Sequence, residues 1–559
     1  MEILVPRKPS VLAAALAGAL AFTAATAQEA KLPDIGSSAG GVLSPAKQAE
    51  YGALTLAQLR HEGYVLDDPL LGGWLDEVGQ RLGGASDKPQ QHFTFFMLRD
   101  RQINAFATLG GYIAMNAGLI LAADREDEVA GVLSHEVAHV TQQHVLRGAE
   151  RAQRDSIPIM LAMLGAIIAA QQAGGNSGAD ATQAAVIGGM GLLQQRLIDY
   201  TRDNESEADR IGIRAMARGG YDPEGMADFF EKLQSVIRVN QGDERSRTPG
   251  YLQTHPITLT RISEARERAT SIEQTAPTAT MRIANNPLLP AGMQIATTGA
   301  RARGNTGDFG WARERLRVLS ANTPAQAIRE YQQLRDKKPL DDTERYGLAI
   351  ARQQSGDDAG ALREMTAVQA AHPDSLWLQI SLGVAEAKAG RTADADRRFE
   401  TLLARRPTHR ALVLSYAQVL AERNTAAAGA RAVTALRPLL GTGADDLLFQ
   451  QAYARANEIA GDDVRAGEAW AEAAYLNGRP EQALVQLNNL KKRSTLDYYA
   501  RSRIDARIAA ITPTVLELRR QGIRDEDATR KLRSSNAPAR KLQFGVRAGE
   551  SSGNPVQTW

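Results

Sequence analysis

One short stretch constrains the fold of this chain more than any other, residues 134–140 (SHEVAHV). Residues four apart lie on one face of an α-helix, so His135 and His139 can reach one metal ion from the same side. This is the H-E-x-x-H spacing of a zinc site, and it requires the stretch to be helical. Glu136 is turned by about 100° from His135, so it can stand beside the metal and take a proton from the attacking water. The stretch therefore predicts a zinc-dependent hydrolase.

A catalytic zinc site keeps three protein ligands, so a third ligand must come from another part of the chain. Glu205 and Asp209 stand four residues apart and share one helix face. This spacing predicts Glu205 as the third ligand. Asp209 then lies one turn further on, where it either orients a ligand histidine or stands near the leaving group. Glu207 points about 200° away from Glu205, which predicts a solvated side chain.

Two further histidines need a role. His144 lies about 140° around the helix from His139, so it is predicted not to join the site. His255 precedes Pro256 in a loop, and Arg261 follows six residues later. Two interpretations of His255 remain open: a packed loop histidine, or a pocket residue that contacts substrate or occupies the open metal position in a resting state.

The N-terminus predicts export. Arg7 and Lys8 precede an uncharged apolar run at 11–25, which ends in small residues at 25–27. This pattern is typical of a signal peptide, and it predicts a segment over 1–27 that is cleaved after Ala27. An uncleaved anchor is the alternative, but the run is shorter than the ~20 residues that span a bilayer. The N-terminal pattern therefore predicts an exported chain that begins at Gln28 after cleavage.

Composition excludes some chemistry. The chain has no cysteine, so disulfides, thiolate ligands and cysteine nucleophiles are excluded together. The formal net charge of +2 gives no indication of a nucleic-acid partner. Residues 157–170 (IPIMLAMLGAIIAA) are apolar but too short to cross a membrane. They are either a buried helix or flap, or a surface that meets membrane or a hydrophobic substrate, so any membrane contact is peripheral.

A chain of 559 residues is too long for one core. The pattern predicts an α+β, zincin-like metallopeptidase domain over 28–270, mostly helical with a small sheet. Short strands are predicted at 91–98, 102–107 and 111–115. The helix of the zinc motif is predicted to start near Asp124, as N-cap, and to stop near Gly148. Residues 271–308 read as a linker.

The C-terminal half carries an internal repeat. Pro339, Pro373 and Pro407 are spaced by 34 residues, as are Gly356 and Gly390, and Asn424 is next in that series. A 34-residue helix-turn-helix period is the tetratricopeptide pattern, which predicts an all-α solenoid over 309–533. The tail, 534–559, is polar and predicted to be disordered.

Several stretches together resemble the HtpX and CAAX-prenyl-protease type of zinc metallopeptidase. These are 104–107 (NAFA) with 110–113 (GGYI), the H-E-x-x-H motif, the E-x-x-x-D motif, and 254–256 (THP) with 261–262 (RI). With the export signal and the repeats, the whole chain is similar to periplasmic members that work in outer-membrane biogenesis.

The resemblance implies roles for particular residues. It implies one zinc ion held by His135, His139 and Glu205, Glu136 as general base, and Asp209 as proton donor. His255 becomes a gate on the metal, with Arg261 near it. One of two strands, 104–107 with Asn104 and Ala105 or 111–115 with Gly111, forms the edge to which an extended peptide is added.

The resulting hypothesis is a periplasmic zinc endopeptidase that cuts misassembled or stalled outer-membrane proteins. The repeats would recruit these substrates, or the outer-membrane assembly machinery. The alternative is a periplasmic chaperone or assembly scaffold in which the repeats dominate and proteolysis is latent.

Overall fold

The computed structural model describes residues 43–148, 150–151, 200–240, 250–275, 304–494 and 496–520. The predicted signal peptide, the apolar stretch 157–170 and the tail 534–559 lie outside these residues. Among the helices that are described, none is both long enough and apolar enough to cross a bilayer.

The N-terminal part combines helices with one small sheet. Its elements are α1 (Pro45–His61), α2 (Pro69–Gly84), β1 (Thr94–Leu98), β2 (Ala105–Ala107), β3 (Tyr112–Asn116), α3 (Ala117–Ala122), α4 (Glu126–Thr141), α5 (described over 200–218), α6 (Glu224–Asn240), α7 (Gly250–Thr254) and α8 (Leu259–Thr275). The three predicted strands are present, each shorter than or shifted from its predicted range.

The sheet has the order β1-β3-β2. The first strand runs parallel to β3, and β2 runs antiparallel to it with Ala105 opposite Met115. The central strand is therefore β3, and β2 is an edge strand. The prediction that 111–115 is an alternative edge is wrong, because β3 is bonded on both sides. Gly111 itself lies before β3, in a tight turn at φ +86°.

The zinc-motif helix α4 begins and ends differently from the prediction. Its N-cap is Arg125 rather than Asp124, and the Asp124 carboxylate instead pairs with Lys232 at 2.6 Å. The helix ends at Thr141, not at Gly148, because Gln143 adopts φ +55°. A left-handed residue interrupts the α-helical hydrogen bonding, and a second helical segment starts at His144.

The C-terminal part is built of antiparallel helix pairs. Its helices are α9 (Phe309–Leu319), α10 (Pro324–Lys337), α11 (Asp342–Gln354), α12 (Asp358–Ala371), α13 (Leu376–Lys388), α14 (Thr392–Arg405), α15 (Arg410–Glu422), α16 (Ala426–Leu436), α17 (Leu447–Ala460), α18 (Asp463–Leu476), α19 (Pro480–Lys491) and α20 (Tyr498–Arg520). Helices α11, α13 and α15 begin 34 residues apart, as do α12, α14 and α16. We call this part the helical solenoid.

The turn inside each of these pairs explains the glycine series. Gly356 and Gly390 have φ of +89° and +79°, and Asn424, next in the series, has φ +50°. Glycine reaches this region without steric cost, and asparagine tolerates it better than most residues. Glycine or asparagine recurs at this position of the repeat because the backbone there adopts a positive φ.

The predicted linker is too long at both ends. Helix α8 continues to Thr275, five residues into the range 271–308. From Gly304 the chain already packs on the N-terminal part, where its N–H donates to the Gly220 carbonyl at 2.8 Å. Thr306 then donates to the buried Glu126 carboxylate through both its N–H and its hydroxyl, at 2.8 and 2.5 Å.

The helical solenoid packs directly against α2. Trp74 meets Phe309 at 6.2 Å between ring centroids, and Arg315 forms two hydrogen bonds to the Asp68 carboxylate at 2.8 and 2.6 Å. One cluster of buried apolar residues runs from Leu66 in the first part to Ala469 in the second. The two parts therefore share a core, which joins them without a disulfide.

Candidate metal centre

Helices α4 and α5 bring the three predicted ligands together. The Nε2 atoms of His135 and His139 are 2.9 Å apart. The Glu205 carboxylate lies 3.3 Å from the first of these nitrogens and 3.4 Å from the second. The pair His135 and His139 is positioned by α4, since residues four apart share one face of a helix. The packing of α5 on α4 then supplies the third donor from a different element.

His255 joins this cluster from the residue that follows α7. Its Nδ1 is 3.0 Å from Glu205 Oε1 and 3.3 Å from His135 Nε2. Its ring stacks on Tyr251, 4.8 Å away, and only 8% of the residue is exposed. Together with His135, His139 and Glu205 it forms a group whose donor atoms all lie within 4.8 Å of one another.

This donor set fits a zinc ion. Imidazole nitrogens and a carboxylate are zinc's common ligands, and bond lengths of about 2.0–2.1 Å in a tetrahedron put the donors about 3.3 Å apart. The separations above lie close to that value. Glu136, only 1% exposed, has a buried Oε1 without a hydrogen-bond partner, and His255 Nε2 lies 3.6 Å from this oxygen. A buried unpaired oxygen is costly in a purely structural site.

Asp209 and Arg261 lie behind the cluster. Asp209 Oδ1 is 2.9 Å from His135 Nδ1, and Arg261 binds both Asp209 oxygens at 2.7 and 2.8 Å. A third bond, at 2.9 Å, joins Arg261 to Glu205. Burial alone would raise the pKa of Asp209, but the guanidinium charge and the His135 contact lower it. Asp209 thus contacts the predicted ligand His135, and Arg261 contacts both Asp209 and the predicted ligand Glu205.

The two ligand histidines differ electrostatically. Burial alone would lower the pKa of His135, but hydrogen bonds to Asp209 and Glu205 raise it to about 10. Burial dominates at His139 and lowers its pKa to about 4. His135 contacts two carboxylates, whereas His139 contacts Glu205 and lies beside the positive charge of His135.

His144 and Glu207 are closer to the site than predicted. The break at Gln143 turns His144 back, so that its Nδ1 lies 2.9 Å from His139 Nδ1. Its Nε2 lies 3.2 Å from Glu207, which also pairs with Arg147 at 3.1 Å. His144 is not one of the four clustered donors, in line with the prediction, although it contacts the back of His139. Glu207, predicted to be solvated, is 27% exposed and paired instead. The contact of His144 was missed because the prediction assumed an unbroken helix, and nothing in the local sequence indicates the break.

The edge strand β2 lies beside α4. Asn104, which precedes it, accepts from the Ala105 N–H through its own side chain at 3.0 Å. A small cavity of about 30 Å³ lies between the end of β2 and the end of α4. It is lined by Gln48, Ala107, Thr108, Leu109, Gly110, His139, Val140, Gln143, Val145 and Leu146.

Comparison with known proteins defines the class of protein. The model of peptidase family M48 matches residues 69–269, which contain the whole cluster. The chain belongs to this family of metallopeptidases.

Particular relatives extend the similarity beyond this domain. A beta-barrel assembly-enhancing protease of Yersinia pestis is 32% identical over 493 residues, which cover 85% of this chain and 90% of the relative. The Escherichia coli (strain K12) protein of that name is 37% identical over 238 residues, or 43% of this chain and 47% of the relative. A Vibrio cholerae relative is 42% identical over 242 residues, with 43% and 47% covered. The last two matches span about half the length of those relatives.

Proposed function

We propose that this protein is a zinc-dependent endopeptidase of the periplasm. One observation carries the proposal: three zinc-type donors converge beside the buried, unpaired oxygen of Glu136. A structural zinc site has no need of a base at that position, whereas peptide hydrolysis does. His135, His139 and Glu205 would hold the ion.

The residues around the cluster have separate tasks. Bound zinc is a Lewis acid that polarises a peptide carbonyl and lowers the pKa of water. Glu136 takes the proton of the attacking water on Oε1 and then delivers it to the leaving amine. Asp209, held by Arg261, accepts from His135 Nδ1 and keeps Nε2 free for the metal. In this proposal Asp209 is a positioning residue and not the proton donor that the resemblance implies, since it is 1% exposed and its two oxygens contact His135 and Arg261.

An extended substrate would pair with β2. Edge strands present unpaired N–H and C=O groups that bind a peptide main chain irrespective of its side chains. Strand β2 is the edge nearest the cluster, and Asn104 and Ala105 begin it. Main-chain recognition of this kind suits substrates that are unfolded.

His255 would act as a gate. Its Nδ1 lies among the ligand donors, so it competes for the position that water and substrate need. His255 follows the short helix α7 and precedes Pro256, so the proposed movement would take place in this loop. In this proposal the enzyme rests until substrate binding displaces His255.

Names of the relatives support a substrate class. One protein named beta-barrel assembly-enhancing protease matches this chain over 85% of its length. We infer that the substrates are misassembled or stalled outer-membrane proteins, recruited by tetratricopeptide-type repeats either directly or through the assembly machinery. The signal peptide predicted over 1–27 would deliver the chain to them. No nucleic acid is involved, and membrane contact is peripheral at most.

Replacing Glu136 by Gln tests the catalytic proposal. We expect the variant to bind one zinc ion per chain and to cleave an unfolded protein about 10²–10⁴-fold more slowly. Glu267→Gln, on the exposed face of α8, is the matched control and should cleave normally. Undiminished cleavage by Glu136→Gln would overturn the assignment. Glu205→Ala should lose zinc in elemental analysis, and full zinc content would point to another third ligand.

The same variant tests the substrate class. An inactive protein that still binds its substrates can be recovered from periplasm with them, and mass spectrometry identifies them. Recovery of outer-membrane β-barrel proteins or their assembly factors supports the proposal. Recovery of unrelated soluble proteins alone contradicts it.

The scaffold alternative has one observation in its favour. A cavity of about 470 Å³ lies between helices of the helical solenoid, α9, α11, α13, α15 and α17, and the start of α2. Such surfaces bind partner peptides. If Glu136→Gln restores outer-membrane integrity as well as the wild-type protein does in a strain that lacks it, the scaffold role dominates.

A further inference from the structure

A second hydrogen-bond chain leads away from the metal centre, on the side opposite Asp209. It consists of His139, His144 and Glu207, with contacts of 2.9 and 3.2 Å. Both ring nitrogens of His144 are engaged, and its side chain is 3% exposed. A histidine that merely fills space has no need of polar partners at both nitrogens.

The backbone is shaped to make these contacts. Gln143 at φ +55° is one of two residues other than glycine with positive φ in the described part of the chain. A left-handed conformation away from glycine costs about 1 kcal/mol or more, and it persists where surrounding contacts hold it. Here the Tyr200 hydroxyl donates to the His144 carbonyl at 3.4 Å, and Arg147 donates to the Gln142 carbonyl at 3.3 Å.

Only one placement of the ring protons is consistent with these hydrogen bonds and with a metal bound to His139. His139 presents Nε2 to the other ligands, and a ligand nitrogen needs its lone pair, so the proton of His139 sits on Nδ1. That N–H donates to His144 Nδ1. The proton of His144 then sits on Nε2 and donates to the Glu207 carboxylate. These positions follow from the hydrogen-bond network.

We propose that His144 and Glu207 are positioning residues, which fix the tautomer and the ring orientation of the metal ligand His139. The proposal rests on the zinc site proposed above. The two ligand histidines are then held by different devices: His135 by a carboxylate directly, and His139 by a carboxylate through a second imidazole. Loss of such outer contacts typically costs 10–100-fold in metal affinity.

Two substitutions of His144 separate orientation from packing. The oxygen of Asn can occupy the position of His Nδ1, so His144→Asn keeps the acceptor for His139. The amide of Gln reaches the position of His Nε2, so His144→Gln keeps the contact to Glu207 but loses that acceptor. We expect zinc affinity, measured by chelator competition, to fall about 10–100-fold in His144→Gln and no more than about fivefold in His144→Asn.

Two substitutions of Glu207 test the proposal independently. Glu207→Gln keeps an acceptor for His144 and should stay within about fivefold of wild type, whereas Glu207→Leu should lose about tenfold. Glu267→Gln, outside this network on the exposed face of α8, should leave zinc affinity unchanged. The visible spectrum of the cobalt-substituted protein reports ligand geometry, and it should change in His144→Gln and Glu207→Leu only. Thermal unfolding of the metal-free proteins identifies variants that fail to fold.

Asp209→Asn serves as the positive control for an outer contact. If the wild-type protein binds no zinc, the proposed function fails. If it binds zinc and Asp209→Asn weakens binding while His144→Gln does not, only the present inference fails. Equal losses in His144→Asn and His144→Gln would show that packing alone explains the residue, and would also overturn it.

Discussion

Substitutions at the contact between Asp68 and Arg315 test whether the helical solenoid stabilises the peptidase domain. Asp68 caps α2, because its Oδ1 accepts from the N–H groups of Leu70 and Leu71 at 3.2 and 3.0 Å. The same carboxylate receives both Arg315 bonds. The side chains are 9% and 18% exposed, so this is a buried pair that joins the two halves of the protein.

The magnitude follows from these contacts. Removing one partner of a buried ion pair costs about 3–5 kcal/mol, because the other charge is left buried. Losing an N-cap adds about 1 kcal/mol. We therefore expect Asp68→Ala to lower the free energy of unfolding by about 4–6 kcal/mol. Asp68→Asn keeps the cap and should lose about 1 kcal/mol less. The double variant Asp68→Asn with Arg315→Met should lose less than the sum of its single changes.

Urea titration followed by tryptophan fluorescence measures these differences. Trp74 and Trp311 are buried near the contact and report its opening. Burial would raise the pKa of Asp68, but Arg315 and the two backbone amides lower it. The pair therefore contributes fully above the unfolded pKa of about 3.9, and its contribution is lost as pH falls through the lower folded value. A loss below about 1 kcal/mol in Asp68→Ala at pH 7, or strict additivity in the double variant, would refute the reasoning.

Three further outcomes are expected. His255→Ala should cleave a short unfolded peptide several-fold faster while its zinc affinity, measured with chelators, falls; complete loss of cleavage with zinc retained would make His255 a substrate contact instead of a gate. Burial raises the pKa of Asp308 to about 6, so the folded state binds its proton more tightly than the unfolded state. Asp308→Asn should then gain about 1–2 kcal/mol at pH 8, after allowance for partial exposure, and nothing at pH 4 in denaturation curves; an equal gain at both would exclude ionisation as the cause. Gly118→Ala would put a Cβ 1.9 Å from the Arg101 carbonyl oxygen and should cost about 3 kcal/mol by the same measurement, whereas Gly84→Ala, with nothing within 4 Å, should be neutral or slightly stabilising.

Local periodicity accounts for what the sequence determined on its own. The pairs His135–His139 and Glu205–Asp209 could be predicted because a helix fixes its own i, i+4 faces. The 34-residue spacing of the helical solenoid is equally local, since each turn needs Gly or Asn at one left-handed position. The three strands were predicted from short apolar and aromatic runs, with their ends shifted. In each case the residues that decide the structure lie within a few positions of one another.

Only the tertiary structure decided how these pieces meet. The order of the strands makes β2 an edge strand and β3 the central strand. The partner of Asp209 across its salt bridge is Arg261, which is 52 residues away in sequence. His144 reaches His139 because the positive φ at Gln143 interrupts the helix, and the Tyr200 hydroxyl of α5 donates to the His144 carbonyl just after this break. Such features depend on the packing of segments that are distant in sequence, and a local sequence pattern does not indicate which distant segments will pack against it.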